Sequence, residues 1–190
     1  MSEQATVPKD KSGIWEWIKA LVIALGLAFV IRYFLFAPIL VEGVSMMPTL
    51  YDQERMIVNK LSYVVGKPDR FDIIVFKVSE DKNYIKRVIG LPGDHVEYKD
   101  DMLYINGKAV EEPYLDDFKK QVGNGVNLTE DFTLEQVTNE SVIPEGKLFV
   151  LGDNRQYSKD SRIIGLIDID DVMGQTNLVY WPLSEFKLVK

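Results

Sequence analysis

A mainly β domain behind one N-terminal transmembrane helix is the architecture this sequence predicts. Three observations carry it. An uninterrupted apolar run fills residues 20–31. Beyond Pro38, short runs rich in β-branched and aromatic residues recur between turn signals, and no long stretch repeats with a 3.6-residue period. Asn106-Gly107-Lys108 stands between Leu103-Tyr104-Ile105 and Ala109-Val110, a strong hairpin signal.

The first element is the helix. Residues 1–13 are polar and form a short tail. From 18 to 36 only Lys19 and Arg32 interrupt apolar sequence, close to the roughly 20 residues that cross a bilayer. Both charges lie near the ends, where their aliphatic stems let them reach the headgroups. Trp15, Trp17 and Tyr33 occupy interfacial positions. A cleavable export signal fits less well: Gly26 and Ala28 are small and two apart, yet apolar and aromatic sequence continues to Phe36. A core helix would carry a polar stripe, which 20–31 lacks. The helix is therefore expected over 14–36. Lys9, Lys11 and Lys19 precede the apolar run and Arg32 closes it, which places the N-terminus in the cytoplasm and 37–190 outside, in a cell membrane crossed once.

Strands are expected at 55–58, 72–77 and 84–89, then at 96–98, 103–105 and 109–110, and finally at 147–151 and 178–181. His95 follows Gly93-Asp94 and marks the turn into 96–98. The segment 116–144 is more polar, with Gly123-Asn124-Gly125 and scattered acids, and reads as an insertion or long loop.

Composition removes several classes of function. A 190-residue chain with 46% hydrophobic residues has material for one domain plus an anchor. A formal charge of −7 argues against a nucleic-acid surface. With no cysteine, thiol catalysis and cysteine-ligated zinc are excluded. His95 is the single histidine, so a Ser-His-Asp enzyme or a multi-histidine metal site would have to be built around it.

With no histidine to spare, lysine is the best remaining base for a serine nucleophile. A serine hydroxyl is a poor nucleophile until a base takes its proton, and a lysine serves only if desolvation lowers its pKa from about 10.4. Ser45 follows the apolar segment directly, in Gly43-Val44-Ser45-Met46-Met47-Pro48. It is not a GxSxG elbow, because Met47 replaces the second glycine. Strand alternation sets Lys86 between Tyr84 and Val88 on one face. Taken singly, Ser45 is more often a turn residue before Pro48, and Lys86 more often a solvated strand lysine. Asp153, Arg155, Asp160 and Arg162 read as an ion-pair network.

Taken together, Ser45-Met46-Met47-Pro48-Thr49-Leu50, the run from Tyr84 to Asp94, and the run from Gly152 to Arg162 resemble the signatures of type I signal peptidases, in that family's order and spacing. The resemblance covers the anchor and most of the chain between Ile39 and Gly165. It implies a signal-peptidase-like β-sheet or barrel catalytic domain, a Ser45 nucleophile and a Lys86 general base. Ser158 matches the serine that hydrogen-bonds and orients the lysine, and Asp153, Asp160 and Arg162 match residues that hold the catalytic loop together. Val41, Met46, Leu50, Tyr84 and Ile85 align with the lining of shallow pockets for small substrate side chains. It further implies preprotein signal peptides as substrates, cleavage after Ala-x-Ala-like residues, a bilayer and a nearby export channel as partners, and neither a metal nor an organic cofactor. Two departures stand out. Gly43 takes the place of a serine that completes the oxyanion hole in some members, so a second donor is required beside the Ser45 amide. Phe71 replaces a glycine found in many relatives, with only a packing consequence expected. The single anchor and short chain look like the Gram-positive branch. A Ser/Lys self-cleaving repressor would need a DNA-binding module that this sequence lacks. A catalytically silent, membrane-tethered β domain that binds export peptides would have no use for both Ser45 and Lys86.

Overall fold

The computed structural model describes residues 12–123 and 126–189. Of the polar tail expected over 1–13, residues 1–11 lie outside the described residues. The chain divides into two compact units, one ending at Phe36 and the other beginning at Ala37.

The first unit carries α1, Ser12–Phe34, 23 residues long. Its apolar side chains, among them Trp15, Trp17, Ile23 and Phe29, are exposed. Among the described residues no helix is long and apolar enough to cross a membrane. Described side chains of α1 end at Phe29, so Arg32 and Tyr33, expected at the bilayer interface, lie outside the description.

The second unit is mainly β, as expected. In chain order it contains β1 (Phe36–Leu40, which begins one residue before the boundary), β2 (Arg55–Asn59), α2 (Ser62–Val65), β3 (Ile73–Ser79), β4 (Lys82–Gly90), β5 (Val96–Lys99), β6 (Met102–Ile105) and β7 (Lys108–Val110). There follow α3 (Asp116–Val122), β8 (Phe132–Thr133), α4 (Leu134–Thr138), β9 (Lys147–Leu151), α5 (Ser161–Ile164), β10 (Ile167–Asp168), β11 (Val172–Trp181) and β12 (Lys187–Leu188). The larger sheet runs β1-β2-β11-β3-β4-β9-β10, with β12 also paired to β11, and the smaller runs β7-β6-β5-β8.

Alternation decides which core each side chain enters. In β9, Leu148 and Val150 pack with Ile74, Phe76 and Val88. Phe149 and Leu151 point the other way, into the core shared with Val96, Tyr98 and Leu103 of the smaller sheet. A strand buried on both faces reads as a continuous apolar run, as 147–151 does. A third cluster, with Val41, Met46, Leu50, Met56 and Val179, lies under the segment that carries Ser45. The β6–β7 hairpin turns through Asn106 and Gly107 with φ of 53° and 75°, the paired left-handed residues of a type I′ turn.

Two stretches differ from the sequence reading. The polar segment 116–144 contains α3, β8 and α4, and its Leu128, Phe132, Leu134 and Ile143 are buried. Phe132 pairs with Tyr98 across β8 and β5, and Thr133 with Gln136 forms a capping box at the start of α4. Phe71, for which only packing was expected, has φ +74°, a left-handed conformation that costs a bulky residue energy. Its carbonyl accepts from Arg87 Nη1 at 2.9 Å, and its ring packs edge-on to Tyr114.

Candidate active site

Ser45 lies in the loop between β1 and β2. Met46 and Leu50 are buried on either side of a tight turn, 2% and 0% exposed, and pin this loop to the core. The Leu50 amide donates to the Met46 carbonyl at 2.9 Å and the Met47 amide to the Val44 carbonyl at 3.1 Å. The Ser45 side is left half-buried and facing a cleft.

Lys86 comes from β4, paired with Ile74 of β3. Its Nζ lies 2.8 Å from Ser45 Oγ and 2.8 Å from the Ile85 carbonyl, to which it donates, and 5.1 Å from the centre of the Tyr84 ring. The residue is only 3% exposed. Burial pushes its pKa down to about 8, against the opposing pull of Asp160 and Asp153. Desolvation penalises the charged amine more than those carboxylates favour it. A hydroxyl and a partly neutral amine in hydrogen-bond contact can transfer a proton between them.

The loop after β9 supports both groups. Asp153 forms a fully buried pair with Arg87, the neighbour of Lys86, through contacts of 2.9 and 2.6 Å. Asp160 caps α5 and accepts from the Gly152 amide at 3.1 Å and from Arg162 at 2.8 Å. Arg162 also donates to the Arg155 carbonyl at 2.7 Å, which closes the loop on itself. At Gly152 a Cβ would meet Ser158 Oγ at 2.2 Å and the Ser45 carbonyl oxygen at 2.4 Å.

A cleft of about 590 Å³ runs past Ser45 and Lys86. Val41, Gly43, Met46, Tyr84 and Ile85 line it. Leu50 does not: it is fully buried beneath, against Val41 and Met46. Ser158 also departs from expectation. It is 8% exposed, but its hydroxyl has no hydrogen-bond partner among the described residues, and the lysine amine turns instead to Ser45 and the Ile85 carbonyl. Gly43 has φ +92°, and its amide donates to Asp52 Oδ1 at 2.8 Å, so that N–H is already engaged and is not directed to an oxyanion. His95, just before β5, contacts Glu135 of α4 at 3.3 Å. Among the described residues no group of three or more His, Asp or Glu could hold a metal ion.

Residues 14–181 match the family described as "Signal peptidase, peptidase S26". The chain belongs to that family. It is 50% identical over 191 residues to a signal peptidase I of Bacillus licheniformis, covering 98% of each chain. With a signal peptidase I of Bacillus caldolyticus it shares 49% over 182 residues, 95% of this chain and 97% of the relative. A crystal structure of a signal peptidase I from Enterococcus faecalis, 48% identical, superposes with a TM-score of 0.55 over 58% of this chain and 97% of that one. As a member of the signal peptidase family the chain is an enzyme, a serine endopeptidase.

The sequence reading of this signal peptidase family member passed over several residues of the cleft lining and the partners of Arg155. Val44, Val75, Asn83, Tyr157 and Lys159 also line the cleft; they fall on motif positions of variable type or outside the motifs. Arg155 is buried and bonds Glu112 at 2.6 Å, Thr129 at 3.2 Å and the Tyr98 hydroxyl, while its Nε donates to the Gly152 carbonyl at 3.1 Å. Burial raises the Glu112 pKa, but the Arg155 guanidinium outweighs it and holds the carboxyl below the usual range. This network ties the smaller sheet to the loop beneath Ser45. No local pattern announces it, because Glu112 and Arg155 are 43 residues apart.

Proposed function

We propose that this chain is a membrane-anchored serine endopeptidase that removes signal peptides from exported preproteins, with Ser45 as nucleophile and Lys86 as general base. The single observation that carries the reading is the 2.8 Å contact between the buried Lys86 amine and the Ser45 hydroxyl. Neutral Lys86 takes the Ser45 proton as Oγ attacks the scissile carbonyl. The Ile85 carbonyl, 2.8 Å from Nζ, then steadies the ammonium that forms. The lysine returns the proton to the leaving amine, and water activated by the same amine hydrolyses the acyl-enzyme. The oxyanion is held by the Ser45 amide and a second donor other than the Gly43 amide.

The substrate lies extended in the cleft and pairs with the strand edges that border it. Val41, Met46, Tyr84 and Ile85 form shallow pockets that admit small side chains before the cut, as in Ala-x-Ala. Ser158, Asp153, Asp160 and Arg162 shape the supporting loop. In this reading α1, with its 23 residues and exposed apolar side chains, anchors the enzyme with its N-terminus in the cytoplasm and its catalytic domain outside, beside the export channel. Anchoring raises the effective concentration of membrane-bound substrate without new contacts.

The test is incubation of the detergent-purified chain with a preprotein, followed by N-terminal sequencing of the product. Cleavage after a small-x-small sequence is expected, and none with Ser45→Ala or Lys86→Ala. Near-normal turnover by Lys86→Ala would remove the lysine as base.

A further inference from the structure

Three successive residues of the nucleophile loop, 43 to 45, are held by hydrogen bonds to residues further along the chain. The Gly43 amide donates to Asp52 Oδ1 at 2.8 Å. The Val44 carbonyl accepts from Asn154 Nδ2 at 3.1 Å, and the Ser45 carbonyl accepts from the Asn154 amide at 3.1 Å. Asn154 thus grips two adjacent carbonyls, one of them that of the nucleophile itself. It is 6% exposed, and its Oδ1 has no partner among the described residues, so the Val44 contact is the one hydrogen bond that fixes its side chain there.

The residue before Asn154 reaches the other half of the site. Asp153 binds Arg87, and Arg87 follows Lys86 along β4. Two consecutive residues therefore connect the strand bearing the amine to the loop bearing the hydroxyl, although Val44 and Asn154 are 110 residues apart in sequence. Nothing in the cleft brings Asn154 to a substrate, since it is not among the lining residues. Its effect on the reaction is exerted through Ser45.

We infer that Asn154 is a positioning residue, and that its side-chain amide sets the placement of Ser45 against Lys86. This rests on the reading of Ser45 and Lys86 as the reacting pair. Loss of the Nδ2 donor frees the Val44 carbonyl and lets the loop drift, and a misplacement near 1 Å costs about a hundredfold in rate. Tyr84, Ile85 and Lys86 lie on β4, away from the freed loop, so that wall of the cleft and the burial of Lys86 are kept.

The experiment compares Asn154→Ala with Asn154→Leu, which keeps the branched shape and has no donor, on a peptide substrate across pH. Both variants are expected to lose about tenfold to a hundredfold in kcat, with KM within about threefold of the parent and the acidic limb of the pH profile unmoved. Wild-type kcat in Asn154→Leu would assign Asn154 to packing alone and overturn the inference. A displaced acidic limb would mean that it acts on Lys86 and would overturn it equally. Should either variant melt well below the parent, Asn154→Ser, which retains a shorter donor, replaces it. A folded Asn154→Ser with kcat between parent and Asn154→Ala supports the inference, and one equal to Asn154→Ala in a folded state refutes it. Ser45→Ala in the same assay separates the two readings, because turnover in that variant would overturn the Ser45–Lys86 pair itself.

Discussion

Replacing Gly152 by alanine tests how tightly the supporting loop fits against Ser45, the proposed nucleophile. The added Cβ would stand 2.2 Å from Ser158 Oγ, 2.4 Å from the Ser45 carbonyl oxygen and 2.6 Å from Ser158 Cβ, where ordinary contacts begin near 3.4 Å. The hydroxyl can rotate away. The Ser45 oxygen is main chain and can retreat only if the nucleophile moves with it, by about 1 Å. A shift of that size corresponds to about a hundredfold in rate, roughly 2.7 kcal/mol of transition-state stabilisation. The assay is kcat on a peptide substrate, with far-UV circular dichroism and a melting curve to show that the variant is folded. Adding Ser158→Ala relieves the hydroxyl overlap but leaves the Ser45 oxygen in place, so the double variant should recover only a small part of the loss. Gly152→Ala with near-wild-type kcat and an unchanged melting point would refute the argument.

Lys86, with its pKa near 8, predicts a turnover that climbs about tenfold between pH 7 and pH 9, as the neutral fraction rises from roughly a tenth to nine-tenths; a flat profile over that interval would contradict it. The same amine should weigh on stability. Its folded pKa lies below the unfolded value of 10.5, so between the two the unfolded chain holds a proton that the folded chain lacks, and stability rises with pH through that window. Lys86→Met is therefore expected to be inactive yet more stable at pH 7, by on the order of 3 kcal/mol, with the gain shrinking above pH 8 in urea titrations. Arg87→Leu leaves Asp153 buried without its partner, and about 3–5 kcal/mol of stability should be lost, read from the urea midpoint.

The parts of the structure legible in the sequence are those written locally. Asn106-Gly107 marks the hairpin, because few residue pairs adopt two left-handed conformations in succession. The apolar run at 147–151 marks a strand buried on both faces. Ser45 and Lys86 emerge by elimination of histidine and cysteine, together with motif resemblance, and lie in contact. What escaped was non-local or conformational. The φ of Phe71 is dictated by the turn between α2 and β3 and by the Arg87 bond to its carbonyl, and its identity alone suggests neither. Leu50 sits among motif residues that line the cleft, but the turn through Met47 sends it into the core. The segment 116–144 reads as a loop because Leu128, Phe132, Leu134 and Ile143, which it buries, are spaced too irregularly to show a period. Resemblance assigns Ser158 to the lysine, whereas its hydroxyl has no hydrogen-bond partner among the described residues.

The contacts around the proposed Ser45–Lys86 pair span 41, 66 and 110 residues of sequence. A nascent chain that has not yet produced Asp153 and Asn154 already contains both the hydroxyl and the amine, but has no clamp to bring them together, and its lysine is still solvated and charged. Proteolytic competence is thus acquired late, as the chain closes upon itself.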